Sequence, residues 1–81
     1  MGRLSASNDK DQSLQRLGAA VRARRTALEL SQEALADLAG VDRSHMGKIE
    51  RGERNVTFLN ILRIAQALTC KPSELLGEAG L

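Results

Sequence analysis

The apolar residues of this chain recur at helical spacing in five separate runs, each bounded by residues that start or stop helices. Leu14, Leu17, Val21 and Leu28 fall on one helical stripe, and Ala19, Ala20, Ala23 and Ala27 add helix propensity around it. The pattern predicts a first helix from Ser13 to Leu28, capped by Ser13 or Asp11. Arg24 interrupts the stripe where an aliphatic residue belongs, so it either snorkels to the surface or narrows the stripe. Ser31 caps a second helix, Gln32 to Ala39, with Leu35 and Leu38 inward beside Ala34 and Ala39. Gly40 stops it, and Asp42, two residues on, caps a third helix from Arg43 to Arg51 that Gly52 closes. After the polar loop Glu53 to Val56, Thr57 caps a fourth helix, Phe58 to Leu68, whose apolar residues cover more than one face. Pro72 opens a short fifth helix that ends at Leu76 and Gly77. Residues 1–12 lack periodicity and are expected to form a mobile arm with a first helical turn near its end, and residues 78–81 a frayed end, around a single domain over 13–77.

Composition narrows the fold to this all-α, five-helix arrangement. Of 81 residues, 42% are hydrophobic and Phe58 alone is aromatic, so the core must be aliphatic. Without Trp or Tyr there is no platform on which single-stranded bases could stack and no aromatic pocket for a small ligand. Cys70 stands alone, which excludes an internal disulfide and a cysteine metal cluster; it reads as a small hydrophobe near the end of the fourth helix, suited to a reducing cytoplasm. His45 has no second ligand at metal-binding spacing. No cofactor, metal or membrane partner is expected, and no nucleophile and base are paired for an enzyme. The net charge of +2 is too small to argue for nucleic acid by itself; the placement of charges has to carry that argument.

That placement is informative in the third helix. At about 100° per residue, Met46 and Ile49 point one way, while Arg43, Ser44, Gly47, Lys48 and Arg51 share an outward arc of about 140°. Mid-helix Gly47 costs roughly 1 kcal/mol relative to alanine, which implies that something approaches the backbone there. A DNA major groove has the right chemistry: Arg43 for guanine O6 and N7, Ser44 for several base edges, Lys48 for guanine or a phosphate. Gln32 at the start of the second helix, His45, Arg51, Arg54 and Asn55 are placed for phosphates. Glu50, at the margin of the arc, is expected to pair with Arg22 or Arg25 of the first helix and fix the third helix against it.

Two short helices joined by a Gly-containing turn form a helix-turn-helix unit. The segments Leu30-Ser31-Gln32-Glu33-Ala34-Leu35-Ala36, Gly40-Val41-Asp42-Arg43-Ser44 and Ile49-Glu50-Arg51-Gly52-Glu53-Arg54-Asn55 resemble the XRE family of Cro- and repressor-type regulators, over about residues 14–76. Within that family the run from Arg43 to Leu62 resembles the controller proteins of restriction-modification systems. The resemblance implies a third helix in the major groove, with Arg43, Ser44 and Lys48 reading bases and Gln32, Arg51 and Asn55 on phosphates. Two positions depart from the family pattern: Glu29 replaces a glycine, and Arg24 an aliphatic residue.

One short recognition helix reads only a few base pairs, so two copies on symmetric half-sites are expected. The surplus apolar face of the fourth helix, Leu59 and Ile64, with Leu75 or Leu76 of the fifth, is the expected homodimer interface. Such a dimer would occupy a pseudo-palindromic operator in double-stranded DNA and block or recruit RNA polymerase according to the operator's position. The alternative is a protein-interaction module, such as an antitoxin or regulatory subunit. That role favours a long ordered tail after the fifth helix, where only Gly77 to Leu81 stand, or a contact through residues 1–12.

Overall fold

A computed structural model describes residues 9–81. Five helices form: α1 Ser13–Ala27, α2 Gln32–Ala39, α3 Arg43–Glu50, α4 Phe58–Ala67 and α5 Pro72–Glu78, and no strand is present among the described residues. Helix α1 packs on α3 and α5, α2 on α3 and α4, and α4 on α5, which closes the bundle around one core. That core is aliphatic throughout: Leu17, Val21, Leu35, Met46, Ile49, Ile64, Leu68 and Leu75 are buried, with Ala20, Ala36, Ala39, Ala65 and Ala79 filling the narrow crossings. Leu38, expected inside, is 63% exposed. In so short a helix the buried stripe runs through Leu35, Ala36 and Ala39, so Leu38 falls on the outer side.

Backbone hydrogen bonds hold both ends of the described chain. Residues 1–8 of the expected arm lie outside the described residues. Asp9 to Gln12 form a turn, with the Gln12 amide donating to the Asp9 carbonyl at 3.1 Å. The N-cap position of α1 is Gln12, and neither Ser13 nor Asp11 caps the helix: the Asp9 carboxylate accepts the Ser13 and Leu14 amides at 2.9 and 2.7 Å. Gln12, at φ 56°, folds the chain back so that the carboxylate reaches those free donors. At the other end, residues 78–81, where fraying is expected, make contacts with the bundle. Helix α5 runs on to Glu78, Ala79 is buried in the core, and the Leu81 amide donates to the Leu76 carbonyl at 2.9 Å.

That last bond belongs to a device used at the end of every helix described. A residue with positive φ follows the last turn, and the next amide reaches back to a carbonyl of that turn. This closure satisfies carbonyls that would otherwise be orphaned. Glycine occupies the left-handed position after α2, α3 and α5, but Glu29 and Thr69 occupy it after α1 and α4, at φ 58° and 57°. The departure at Glu29 thus leaves the geometry of the helix end intact, with the Leu30 amide on the Arg25 carbonyl at 3.0 Å, and stores strain instead. Glu29→Gly is expected to stabilise the fold by about 0.5–1 kcal/mol, the relief being offset in part by the freer unfolded chain. A urea titration followed by circular dichroism checks it; an unchanged midpoint would mean that no strain resides there.

Candidate nucleic-acid interface

Helix α2, the turn over 40–42 and helix α3 are set by three local contacts. The Ser31 hydroxyl oxygen accepts the Ala34 amide at 3.0 Å, Gly40 turns the chain at φ 70°, and Asp42 Oδ2 accepts the Ser44 amide at 3.0 Å. The Ser44 hydroxyl donates to the same Asp42 oxygen. Hydrogen bonds from that hydroxyl, then from the backbone amides of His45 and Ser44, hold the Asp42 carboxyl below the usual carboxylate range. Met46 and Ile49, almost wholly buried, then anchor α3 to the core.

The opposite side of α3 carries the residues singled out by the helical arc. Arg43, Ser44 and Arg51 are exposed, Lys48 and His45 half-buried. With Gln32 from α2, the residues Arg43, Ser44, Gly47, Lys48 and Arg51 line a shallow concavity of about 300 Å³. Gly47 lies at its floor and is buried rather than open on the surface. The covering atoms are the ends of two side chains: a Cβ at Gly47 would stand 3.2 Å from Arg51 Nη1 and 3.5 Å from Gln32 Oε1. Arg54 and Asn55 are exposed in the loop that follows. Arg51 meets Glu53 through Nε at 2.9 Å, a solvent-exposed pair and therefore a weak one.

Beneath this face sits the ion pair expected for Glu50, and the structure selects its partner. Arg25 Nε and Nη2 donate to Glu50 at 2.7 and 3.0 Å, and Arg25 Nη1 donates to the Leu30 carbonyl at 2.8 Å. Arg22 is exposed and makes no bond to Glu50. Gln32 Nε2 donates to Glu50 Oε1 at 2.9 Å, so one of its two N–H groups is committed to the pair and its carbonyl oxygen is turned toward Gly47. Glu50 is thus buried, and not at the margin of the outer arc.

Arg24, the other departure from the family pattern, does not belong to this face. Its guanidinium binds Glu78 at the end of α5, with Nε 2.9 Å from Oε1, and so joins α1 to α5. Glu78 is held below the usual carboxylate range by that hydrogen bond. Cys70 packs against the core, and burial pushes its thiol up from its ordinary value.

The expected dimer face needs correction. Ile64 and Leu75 are core residues, each 1% exposed, because both point into the space between α4, α5 and the rest of the bundle. Leu76 is half-buried, while Leu59 and its neighbour Phe58 are the exposed apolar residues of α4. A second position was missed altogether. Gly18 of α1 lies against the last turn of α3, where a Cβ would stand 2.4 Å from the Ile49 carbonyl oxygen and 2.5 Å from that of Glu50. The signal was available: a glycine inside a strong helical stripe is itself a mark of close backbone approach.

Among the described residues no helix is long and apolar enough to cross a membrane, and no group of His, Cys, Asp and Glu is placed to hold a metal ion. Comparison with known proteins agrees with the helix-turn-helix geometry. The helix-turn-helix family model HTH_3 matches residues 21–75. The control protein C.SmaI of Serratia marcescens is 43% identical over 61 residues, which span 75% of this chain and 73% of that one. The crystal structure of the restriction-modification controller protein C.AhdI from Aeromonas hydrophila superposes with a TM-score of 0.75 and 53% identity, covering 76% of this chain and 94% of that one. The c2 repressor of Salmonella phage P22, solved in complex with a synthetic operator, superposes with a TM-score of 0.68 and 36% identity over 73% of this chain and 89% of that one. The chain belongs to the XRE-type helix-turn-helix family of DNA-binding transcriptional regulators.

Proposed function

We propose that this protein is a sequence-specific regulator that binds a pseudo-palindromic operator as a homodimer and serves as the controller protein of a restriction-modification system. The observation that supports the reading is the outer side of α3, where Arg43, Ser44 and Lys48 line one concavity with Gly47, which only the flexible ends of Arg51 and Gln32 cover. Arg43, Ser44 and Lys48 read base edges, and Gly47 admits the groove edge. Gln32, His45, Arg51, Arg54 and Asn55 take phosphates. Arg51 exchanges Glu53 for a phosphate, a favourable trade for a charge already in solvent.

The control proteins similar to this chain favour the restriction-modification role, and the operator complex of the c2 repressor favours an operator as the ligand. Two copies join through Leu59 and Phe58, exposed apolar residues of α4, with Leu76 of α5, which is half-buried against the core. The dimer acts in the cytoplasm without making or breaking a bond. It blocks or recruits RNA polymerase according to the position of its operator.

Selection of bound duplexes from a random library tests this. Arg43→Ala is expected to relax one operator position at a cost of about 1–3 kcal/mol, while Arg54→Ala weakens all sequences alike and lowers the salt dependence by about one phosphate contact. Indistinguishable behaviour of the two variants would overturn the assignment of roles. Sedimentation of the operator complex as a single copy per site would overturn the homodimer.

A further inference from the structure

Ser44 faces the concavity with its only hydroxyl hydrogen already committed. Asp42, two residues earlier, uses a single carboxylate oxygen to accept both the Ser44 amide and the Ser44 hydroxyl. The direction of the second bond is not open to choice. An ionised carboxylate accepts and cannot donate, so the hydrogen must come from serine. The Asp42 carboxyl lies below its ordinary range and is therefore ionised near neutral pH. Around the concavity, Arg43, Lys48 and Arg51 are donors only, so none offers the hydroxyl another acceptor. The Gln32 carbonyl oxygen is the remaining acceptor there, and it is turned to the floor at Gly47.

A serine hydroxyl free to rotate reads donors and acceptors alike, which makes it a poor discriminator of bases. Once its hydrogen is held by a carboxylate it presents lone pairs alone, and the charged partner strengthens it as an acceptor. We propose that Asp42 is a positioning residue for specificity: it makes Ser44 an obligate acceptor. Ser44 thereby selects a base with an amino group in the major groove, adenine through N6 or cytosine through N4. Guanine, with O6 and N7, and thymine, with O4, meet lone pair against lone pair at that position. The inference rests on the reading of Ser44 as a base-facing residue. It deepens that reading by naming the chemistry Ser44 takes.

The test is duplex selection with the full-length protein and three variants, followed by affinity measurements on the selected site. Ser44→Ala identifies the position that Ser44 governs. There the wild type is expected to prefer one orientation of one base pair, and the analogue of that pair's adenine or cytosine lacking the exocyclic amino group to bind about three- to tenfold more weakly, the loss of one hydrogen bond. Asp42→Gly, which retains a residue well tolerated at a helix start, is expected to accept all four bases there with its other positions unchanged. Asp42→Asn keeps an acceptor oxygen while removing the charge, and is expected to retain the wild-type preference, which separates hydroxyl orientation from simple repulsion of phosphate.

Undiminished binding of the amino-free analogue of the selected pair would overturn the proposal while leaving Ser44 as a base contact. So would an undiminished preference in Asp42→Gly. If Ser44→Ala alters no position, the proposal falls together with the base-reading role of Ser44, and selection that still depends on Arg43 would show the remainder of the interface to be sound.

Discussion

Gly18→Ala is expected to cost the fold about 2–3 kcal/mol, although alanine is the better helix former and the site is in the middle of α1. The added Cβ would lie 2.4 and 2.5 Å from the carbonyl oxygens of Ile49 and Glu50. Both are backbone atoms of the last turn of α3, so nothing can rotate out of the way. Either α1 and α3 move apart, opening the contact between them, or one of the two helices distorts. Overpacking of this kind costs about 1–3 kcal/mol and at times more, and the roughly 1 kcal/mol gained from helix propensity offsets only part of a severe clash. A domain of this size has only several kcal/mol of stability to lose. The chain lacks Trp and Tyr, so urea unfolding is followed by far-ultraviolet circular dichroism.

Gly47→Ala provides the contrast. Its new Cβ meets only the tips of Arg51 and Gln32, which can yield, so stability is expected to hold or rise while operator affinity falls. Equal stability of Gly18→Ala and the wild type would show that the two backbones do not meet as closely as described.

These two glycines also mark how far the sequence could be read. Gly47 stood out because its neighbours on the helical arc are Arg43, Ser44, Lys48 and Arg51. Gly18 does not stand out in the sequence because its neighbours are leucines and alanines, where a small residue looks unremarkable without knowledge of the helix that crosses it. The helices themselves were legible, since caps such as Ser31, Asp42 and Thr57 and stops such as Gly40 and Gly52 act on adjacent residues. What escaped depends on contacts distant in the chain. Arg24 is accounted for by Glu78, fifty-four residues away, and that bond is one reason the last residues are held in place. Ile64 and Leu59 both look available on a helix with apolar residues on several faces, and only the packing of the neighbouring helices decides that Ile64 is buried and Leu59 is not. The choice of Arg25 over Arg22 is likewise made by the direction in which α1 crosses α3.

The pair that this crossing selects carries the second large effect. Arg25→Ala is expected to destabilise the protein by about 3 kcal/mol, because it strands the Glu50 carboxylate, whose side chain is 2% exposed, with Gln32 as its one remaining partner. Arg22→Ala, at an exposed site, should stay within about 0.5 kcal/mol of the wild type. Replacing both members at once, as Arg25→Met with Glu50→Met, removes the stranded charge and fills the space with apolar atoms, and most of the lost stability is expected to return. Operator affinity should not return with it. Glu50 holds the Gln32 amide at 2.9 Å and so orients the side chain that borders the concavity over Gly47, a task no methionine performs. Urea titrations and operator binding measured on the same three proteins therefore separate two roles of one ion pair. If the double variant recovers affinity along with stability, the pair serves packing alone. If Arg25→Ala unfolds at the wild-type urea concentration, Glu50 is not buried against α1.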